Sequence, residues 1–148
     1  MNPGRADIER MLEHAGDMCL LDSTLAWDNQ QIRCSAPAPQ AGHPLMREGR
    51  LPAIAGAEYA AQAAALHGAL LDGVSTPRPG MLANLRDVTF HRTWFPAGGE
   101  SLTVQAKVLS RSDSACMYSF EVASGREAVT SGSLMVVFLE QTQTQAGS

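Results

Sequence analysis

Residues 51–71 read LPAIAGAEYAAQAAALHGALL, and this stretch decides the fold. It is almost wholly apolar and rich in alanine, yet it carries one carboxylate, Glu58. Pro52 suits the first turn of a helix, where its missing N–H would have no intrahelical partner anyway. The helix is predicted to run to about Leu71 and to stop before DGVSTPRPG, a run of turn formers. Small alanine side chains let a sheet wrap closely around such a helix on several sides. A membrane span is the competing reading of so apolar a segment. The length is barely adequate, alanine gives little drive for insertion, and Glu58, Gln62 and His67 would each be costly at bilayer depth. A helix buried inside a folded domain fits better.

On the N-terminal side, Ile8, Met11 and Leu12 in ADIERMLEHAG fall at helical spacing before Gly16, which predicts a short amphipathic helix. Cys19, Leu21, Ser23, Leu25 and Trp27 then alternate up to the turn formers Asp28-Asn29, and QIRCSAPA follows, a pattern that predicts a β-hairpin. PAPQAGHPLMREGR, with three prolines and two glycines, reads as a loop. After residue 80 the period changes to two. Leu82, Val88, Phe90 and Trp94 share one parity, as do Leu102, Val104, Ala106 and Val108, and Cys116, Tyr118, Phe120 and Val122, and SLMVVFLE closes the set. The connecting pieces are short, so these four strands are expected to form an antiparallel meander. The simplest way to bury both apolar faces is an antiparallel sheet curled round one central helix, an α+β domain. Residues 1–140 are expected to form that one domain, with 141–148 a disordered polar tail.

Composition narrows the function. A chain of 148 residues with 45% hydrophobic and 18% charged residues can bury one good core. A net charge of −4 with scattered basic residues argues against nucleic-acid binding. The N-terminus lacks the pattern of a signal peptide. Cys19, Cys34 and Cys116 are odd in number and without CxxC spacing, as expected of free thiols in a reducing cytoplasm. No GxSxG, phosphate-binding glycine loop or HExxH occurs, and four dispersed histidines make no metal motif. Neither a metal nor a cofactor is expected.

HPLMREGRLPAIAGAEYAAQ resembles the key segment of the hotdog-fold 3-hydroxyacyl-(acyl carrier protein) dehydratases, roughly HFPxxPxxPGxxxxExxAQ. Pro52, Glu58 and Gln62 match without a gap, whereas His43 needs one inserted residue. DMCLLDSTLAWD and LRDVTFHRTWFPAGGESLTV resemble two flanking strands of the family, so the likeness covers roughly residues 17–139. GRLPAIAGAEYAAQ is most similar to the branch serving aryl-polyene-type pathways, G-x-PA-x-x-G-x-E-x-x-AQ. The chain departs from the better-known pattern in carrying Ala53 after the proline, a glycine at Gly56, and no second proline after the histidine.

The resemblance implies a hotdog fold and dehydration of acyl chains carried on acyl carrier protein, in a homodimer or a hetero-oligomer with another hotdog subunit. It implies that His43 and Glu58 meet from different subunits. That reaction needs a base for the proton beside the carbonyl, an acid for the departing hydroxyl, and donors for the charge growing on the thioester oxygen. A histidine that titrates near neutrality suits the base, here His43, unless it is an incidental loop histidine. A carboxyl embedded among alanine and leucine has its charged form disfavoured and can keep a proton to donate, the role expected of Glu58 over a purely structural one. The helix start around Ala53 and Gly56 offers backbone N–H groups for the oxygen. Gln62, four residues after Glu58, either orients it or satisfies buried backbone. His67 reads as a core or interface histidine, and His14 as a surface one. His91 and Arg92 are either contacts for the carrier's phosphopantetheine or acidic helix, or a solvated strand face. Arg47 and Arg50 flank the expected mouth and could attract an acidic carrier. On the same fold, an acyl-thioester hydrolase and a non-catalytic acyl-binding subunit are the alternatives.

Overall fold

Alanine spacing and a proline start produce the expected helix. A computed structural model describes residues 2–12, 19–73, 80–97 and 99–138; the expected polar tail and His14 lie outside them. A single 3-10 turn at Ala53–Ala55 leads into the long helix α2, Gly56–Asp72, preceded far upstream by the short helix α1, Arg5–Leu12. Gly73 ends α2 in the left-handed region at φ 63°, its N–H reaching back to the carbonyls of Ala69 and Leu70. Six strands lie among the described residues: β1 Ser23–Trp27, β2 Gln31–Ala36, β3 Gly80–Phe90, β4 Leu102–Arg111, β5 Ala115–Ser124 and β6 Glu127–Phe138. They form one antiparallel sheet in the order β1-β2-β4-β5-β6-β3.

The sheet packs around α2. Ala60, Ala63, Ala64 and Leu66 are fully buried against the inward residues Ile32, Val104, Tyr118, Val122 and Val136. Alanine in the helix brings these surfaces into contact without displacing the sheet. The parity expected for β4 and β5 holds: Leu102, Val104 and Ala106 are buried, as are Cys116, Tyr118, Phe120 and Val122.

Two expectations fail in β3. First, only β4, β5 and β6 form a meander. β3 pairs with β6 at the edge of the sheet, and β4 lies beside β2. Residues 91–101 separate β3 from β4, well beyond the roughly two to five residues of a hairpin loop, so the chain crosses over instead of turning back. Second, β3 does not keep its parity. Register shifts between Leu82 and Asn84 and between Arg86 and Thr89 insert bulges, with Asp87 at φ 53°. Leu82, Leu85 and Val88 turn partly inward, and Met81 and Phe90 are left half exposed. A shift at Leu25 does the same in β1, placing Thr24 inward and Leu25 outward.

Cys19, Cys34 and Cys116 are buried and none of them forms a disulfide. Among the described residues no helix is long and apolar enough to cross a membrane. Among the described residues no cluster of three or more His, Cys, Asp or Glu could hold a metal ion.

His67 belongs to the core. It is fully buried, with Nδ1 2.6 Å from the Tyr118 hydroxyl and Nε2 2.6 Å from the Asp28 carbonyl oxygen. A carbonyl only accepts, so Nε2 carries the proton and Tyr118 donates to Nδ1. Burial, the largest effect, lowers the pKa of His67 below its ordinary 6.5. The unfolded chain therefore binds this proton more readily than the folded one. The contribution to stability is complete above about pH 6.5 and is lost as pH falls from there through the folded-state value, at up to about 1.4 kcal/mol per pH unit. Urea unfolding between pH 8 and 5 is expected to show this loss, and a His67→Phe protein to show a shallower dependence. Equal slopes in the two proteins would remove His67 as its source.

Candidate active site

The loop before α2 places His43. Its N–H donates to the Gln40 carbonyl at 3.1 Å, and its own carbonyl accepts from Met46 N–H at 3.1 Å. On the ring, Nδ1 accepts the Leu45 N–H at 3.1 Å and Nε2 lies 2.8 Å from the Tyr59 hydroxyl. The two rings stack at 6.0 Å with 26° between planes, and Phe95 packs behind Tyr59 at 6.1 Å. Burial pushes the Tyr59 phenol well above its usual range, so it stays un-ionised. Both rings border a cavity of about 330 Å³ that Arg5, Cys19, Leu20 and Gln40 also line. Burial raises the pKa of the Cys19 thiol, which is therefore not the reactive thiolate of a nucleophile.

Glu58 faces elsewhere. The apolar helix was expected to enclose it, but Glu58 is exposed, on the α2 face that also carries Ala61, Gln62 and Ala65. The physical reason is rotation. At 100° per residue the buried Ala57, Ala60, Ala63 and Ala64 occupy one side of α2 and Glu58 falls on the other. It lines a second cavity, of about 110 Å³, with Met11, Leu12, Gln62, Leu82 and Val136. The two cavities have no lining residue in common, so one protomer keeps His43 and Glu58 in separate places.

The expected oxyanion donors are otherwise engaged. The Ala53 N–H donates to the Thr93 carbonyl at 3.0 Å, and the Gly56 N–H turns back on the carbonyls of Ala53 and Ile54. Gly56 has a packing role instead: a Cβ there would lie 2.8 Å from Cβ and Oγ1 of Thr130. Gln62 Oε1 accepts the Leu20 N–H at 2.9 Å, the backbone-satisfying alternative of the two considered for it.

The four basic candidates lie on segments that run side by side, joined by the Ala53–Thr93 bond and a Phe95 N–H to Leu51 carbonyl bond of 2.8 Å. Arg47 and Arg50 face each other across a tight hairpin. The Arg50 guanidinium sits 5.1 Å over the Trp94 ring, and Arg47 donates to the Met46 carbonyl. Arg92 pairs with Glu127 at 2.7 Å, which offsets its charge, and His91 Nε2 lies 3.0 Å from Ser131 Oγ. All four are exposed.

Sequence reasoning passed over Tyr59. The signal was present, because a tyrosine inside an alanine-rich helix needs a partner for its hydroxyl when buried.

A family model described as ApeP-like, ApeP dehydratase, matches residues 6–146. The chain belongs to the ApeP-like dehydratase family. Among solved structures, the dehydratase heterocomplex ApeI:P from Xenorhabdus doucetiae superposes with a TM-score of 0.81 at 21% identity, covering 92% of this chain and 93% of that one. An uncharacterised protein from Pyrococcus horikoshii gives 0.63 at 16% identity, covering 90% and 93%. A thioesterase from Staphylococcus aureus gives 0.61 at 15% identity, covering 79% and 92%. No curated protein matches. The ApeP-like chain thus has the hotdog fold that its sequence implied, an antiparallel sheet around one long helix. At these identities the superpositions speak for the fold alone; it is the family that makes this chain a dehydratase relative.

Proposed function

We propose that this ApeP-like protein dehydrates 3-hydroxyacyl thioesters carried on acyl carrier protein, giving trans-2-enoyl thioesters and water, without a cofactor. The observation that carries the reading is the placement of Glu58. It is an acid on the outer face of an otherwise apolar helix, beside a cavity walled by β3 and β6. β3 is the edge strand, eleven residues long, with no neighbour on its far side among the described residues. An uncovered edge of that length invites a second sheet. A hotdog subunit docked there, a second copy or a different chain as in the complex named for ApeI:P, would cover the Glu58 cavity. Removing water from a carboxyl disfavours its charged form, so enclosure by a partner is what would let Glu58 hold a proton.

In the reaction, His43 of one subunit takes the proton from C2 of the acyl chain. The C2–H electron pair becomes the C2=C3 double bond, the C3–O bond breaks, and the hydroxyl leaves as water with the proton of Glu58 from the other subunit. Proton exchange with solvent resets both groups. The Ala53 and Gly56 amides are engaged internally and are not assigned to the thioester oxygen. Arg47, Arg50 and His91, beside the Arg92–Glu127 pair, form the exposed surface for an acidic carrier and its phosphopantetheine arm.

The test is incubation with a 3-hydroxyacyl thioester, with and without a co-expressed hotdog subunit. Absorbance of the enoyl thioester should rise while the thioester stays intact. Release of free thiol instead would identify a hydrolase. No turnover alone but turnover with the partner would locate the chemistry in a mixed assembly, and turnover that ignores this chain altogether would leave it an accessory subunit.

A further inference from the structure

Among the described residues, Glu58 is the only charged group on the wall of its cavity. Ala61 and Ala65 continue that wall along α2, and Leu82 and Val136, paired across β3 and β6, form the sheet side. Gln62 is polar, but its Oε1 accepts the Leu20 N–H at 2.9 Å. The remaining side belongs to α1, which packs against α2 and contributes Met11 and Leu12 from its last turn. That short helix is fixed in place. Ile8 is fully buried in the core, and the Thr24 N–H donates to the Pro3 carbonyl at 3.0 Å just ahead of α1.

Ala65 comes seven positions after Glu58, which is about 10 Å along the helix axis with a drift of only about 20° around it. The acid thus stands at one end of the α2 wall, and hydrocarbon side chains continue from it. A carboxyl that protonates the C3 hydroxyl must lie beside C3. On one side of C3 the substrate is polar, with its thioester, amides and phosphate; on the other it is carbon chain. A wall that holds a carboxylate and no cation repels a phosphate, and its apolar remainder suits the carbon chain. We propose that this cavity receives the acyl chain beyond C3, and that Met11 of α1 and Ala65 of α2 set how long and how bulky a chain the protein accepts. The inference rests on the dehydratase reading.

Substitutions at the two residues act in opposite directions. A leucine at Ala65 adds three carbons to the α2 wall and takes volume from a cavity of only about 110 Å³. An alanine at Met11 removes three heavy atoms from the α1 wall and enlarges it. Each methylene that a bound chain buries tightens binding roughly fourfold, so a chain displaced by three carbons loses on the order of 10- to 100-fold.

The probes are S-alkyl thioethers of pantetheine, butyl to dodecyl, which bind but cannot be dehydrated or hydrolysed. They are titrated into the full chain with its co-expressed hotdog subunit. In the parent, Kd is expected to fall roughly fourfold per added methylene up to a limiting length and to level off beyond it. Ala65→Leu should move that limit to shorter chains, weakening the longest probes on the order of 10- to 100-fold and the butyl probe less than about twofold. Met11→Ala should move the limit to longer chains, and it carries the test alone if Ala65→Leu does not fold. In each variant kcat/KM for 3-hydroxyacyl thioesters should follow the same shift. A parent Kd indifferent to length, a limit unmoved in the variants, or a loss in Ala65→Leu equal at every length would overturn the proposal. Its failure is separable from that of the dehydratase reading. Free thiol released from 3-hydroxyacyl thioesters would end that reading while the limit seen with unreactive probes stood, and dehydration with an unmoved limit would end this inference alone.

Discussion

Glu58→Gln protein is expected to dehydrate a 3-hydroxyacyl thioester about a thousandfold more slowly than the parent, the size of effect that loss of a general acid produces. Its thermal midpoint is expected to stay within about 2 °C, since an exposed substitution changes stability by roughly 0.5 kcal/mol or less. The argument is one of placement. Glu58 lies on the outer face of α2, exposed, with a cavity beside it. Its amide isostere fills the same space but cannot hand a proton to a leaving hydroxyl. The measurement is kcat of the assembled enzyme, with binding to the partner checked separately by size-exclusion chromatography. Parental turnover in Glu58→Gln would take this residue out of the chemistry. Loss of assembly without loss of turnover per complex would assign it to the interface instead.

The exposure of Glu58 was hidden in the sequence for a physical reason. A helix advertises its outer face through polar residues, and here that face is Glu58, Ala61, Gln62 and Ala65. Alanine is tolerated equally inside and outside, so the stripe has little contrast against the buried Ala60, Ala63 and Ala64. The helix itself was legible, because Pro52 and the turn formers after Asp72 mark its ends by local chemistry. The strands from Leu102 onward were plainer, since burial alternates from Leu102 to Ala106 and from Cys116 to Phe120, ahead of the register shifts after Val108 and Val122. β3 was not, because its partner β6 is far along the chain and its two bulges change the face on which each side chain lands. Period-two reading fails wherever an extra residue is inserted.

The site was legible at the level of residue types and not of bonds. His43, Glu58 and Gln62 were picked out by their resemblance to the family's motif, and Gln62 turned out to serve the Leu20 backbone. The amides at Ala53 and Gly56 looked available because a helix start leaves N–H groups open. The neighbouring segment at Thr93, 40 residues away in the chain, takes the first of them. The bond between His43 and Tyr59 joins an irregular loop to a helix and follows no periodicity at all.

Gly56→Ala is expected to destabilise the protein by about 2 kcal/mol, within the range for adding a methyl group to a closed contact. For a domain of this length that is a fall of roughly 4 to 8 °C in thermal midpoint. Replacing glycine by alanine inside a helix would ordinarily stabilise it by up to about 1 kcal/mol, so the sign of the result decides between helix propensity and packing. The geometry favours packing. The new Cβ would sit 2.8 Å from both Cβ and Oγ1 of Thr130, and Thr130 cannot swing away, being fully buried with its hydroxyl donating to the Ala53 carbonyl. Relief requires the first turn of α2 to lift from β6, which moves the residues leading into Glu58 and Tyr59. Thr130→Ala in the same protein removes Oγ1 but leaves its Cβ in the way, so rescue of the midpoint should be incomplete. A Gly56→Ala protein more stable than the parent would mean that α2 does not approach β6 this closely. The register that exposes Glu58 and buries its neighbour Tyr59 at the helix start would then have to be redrawn.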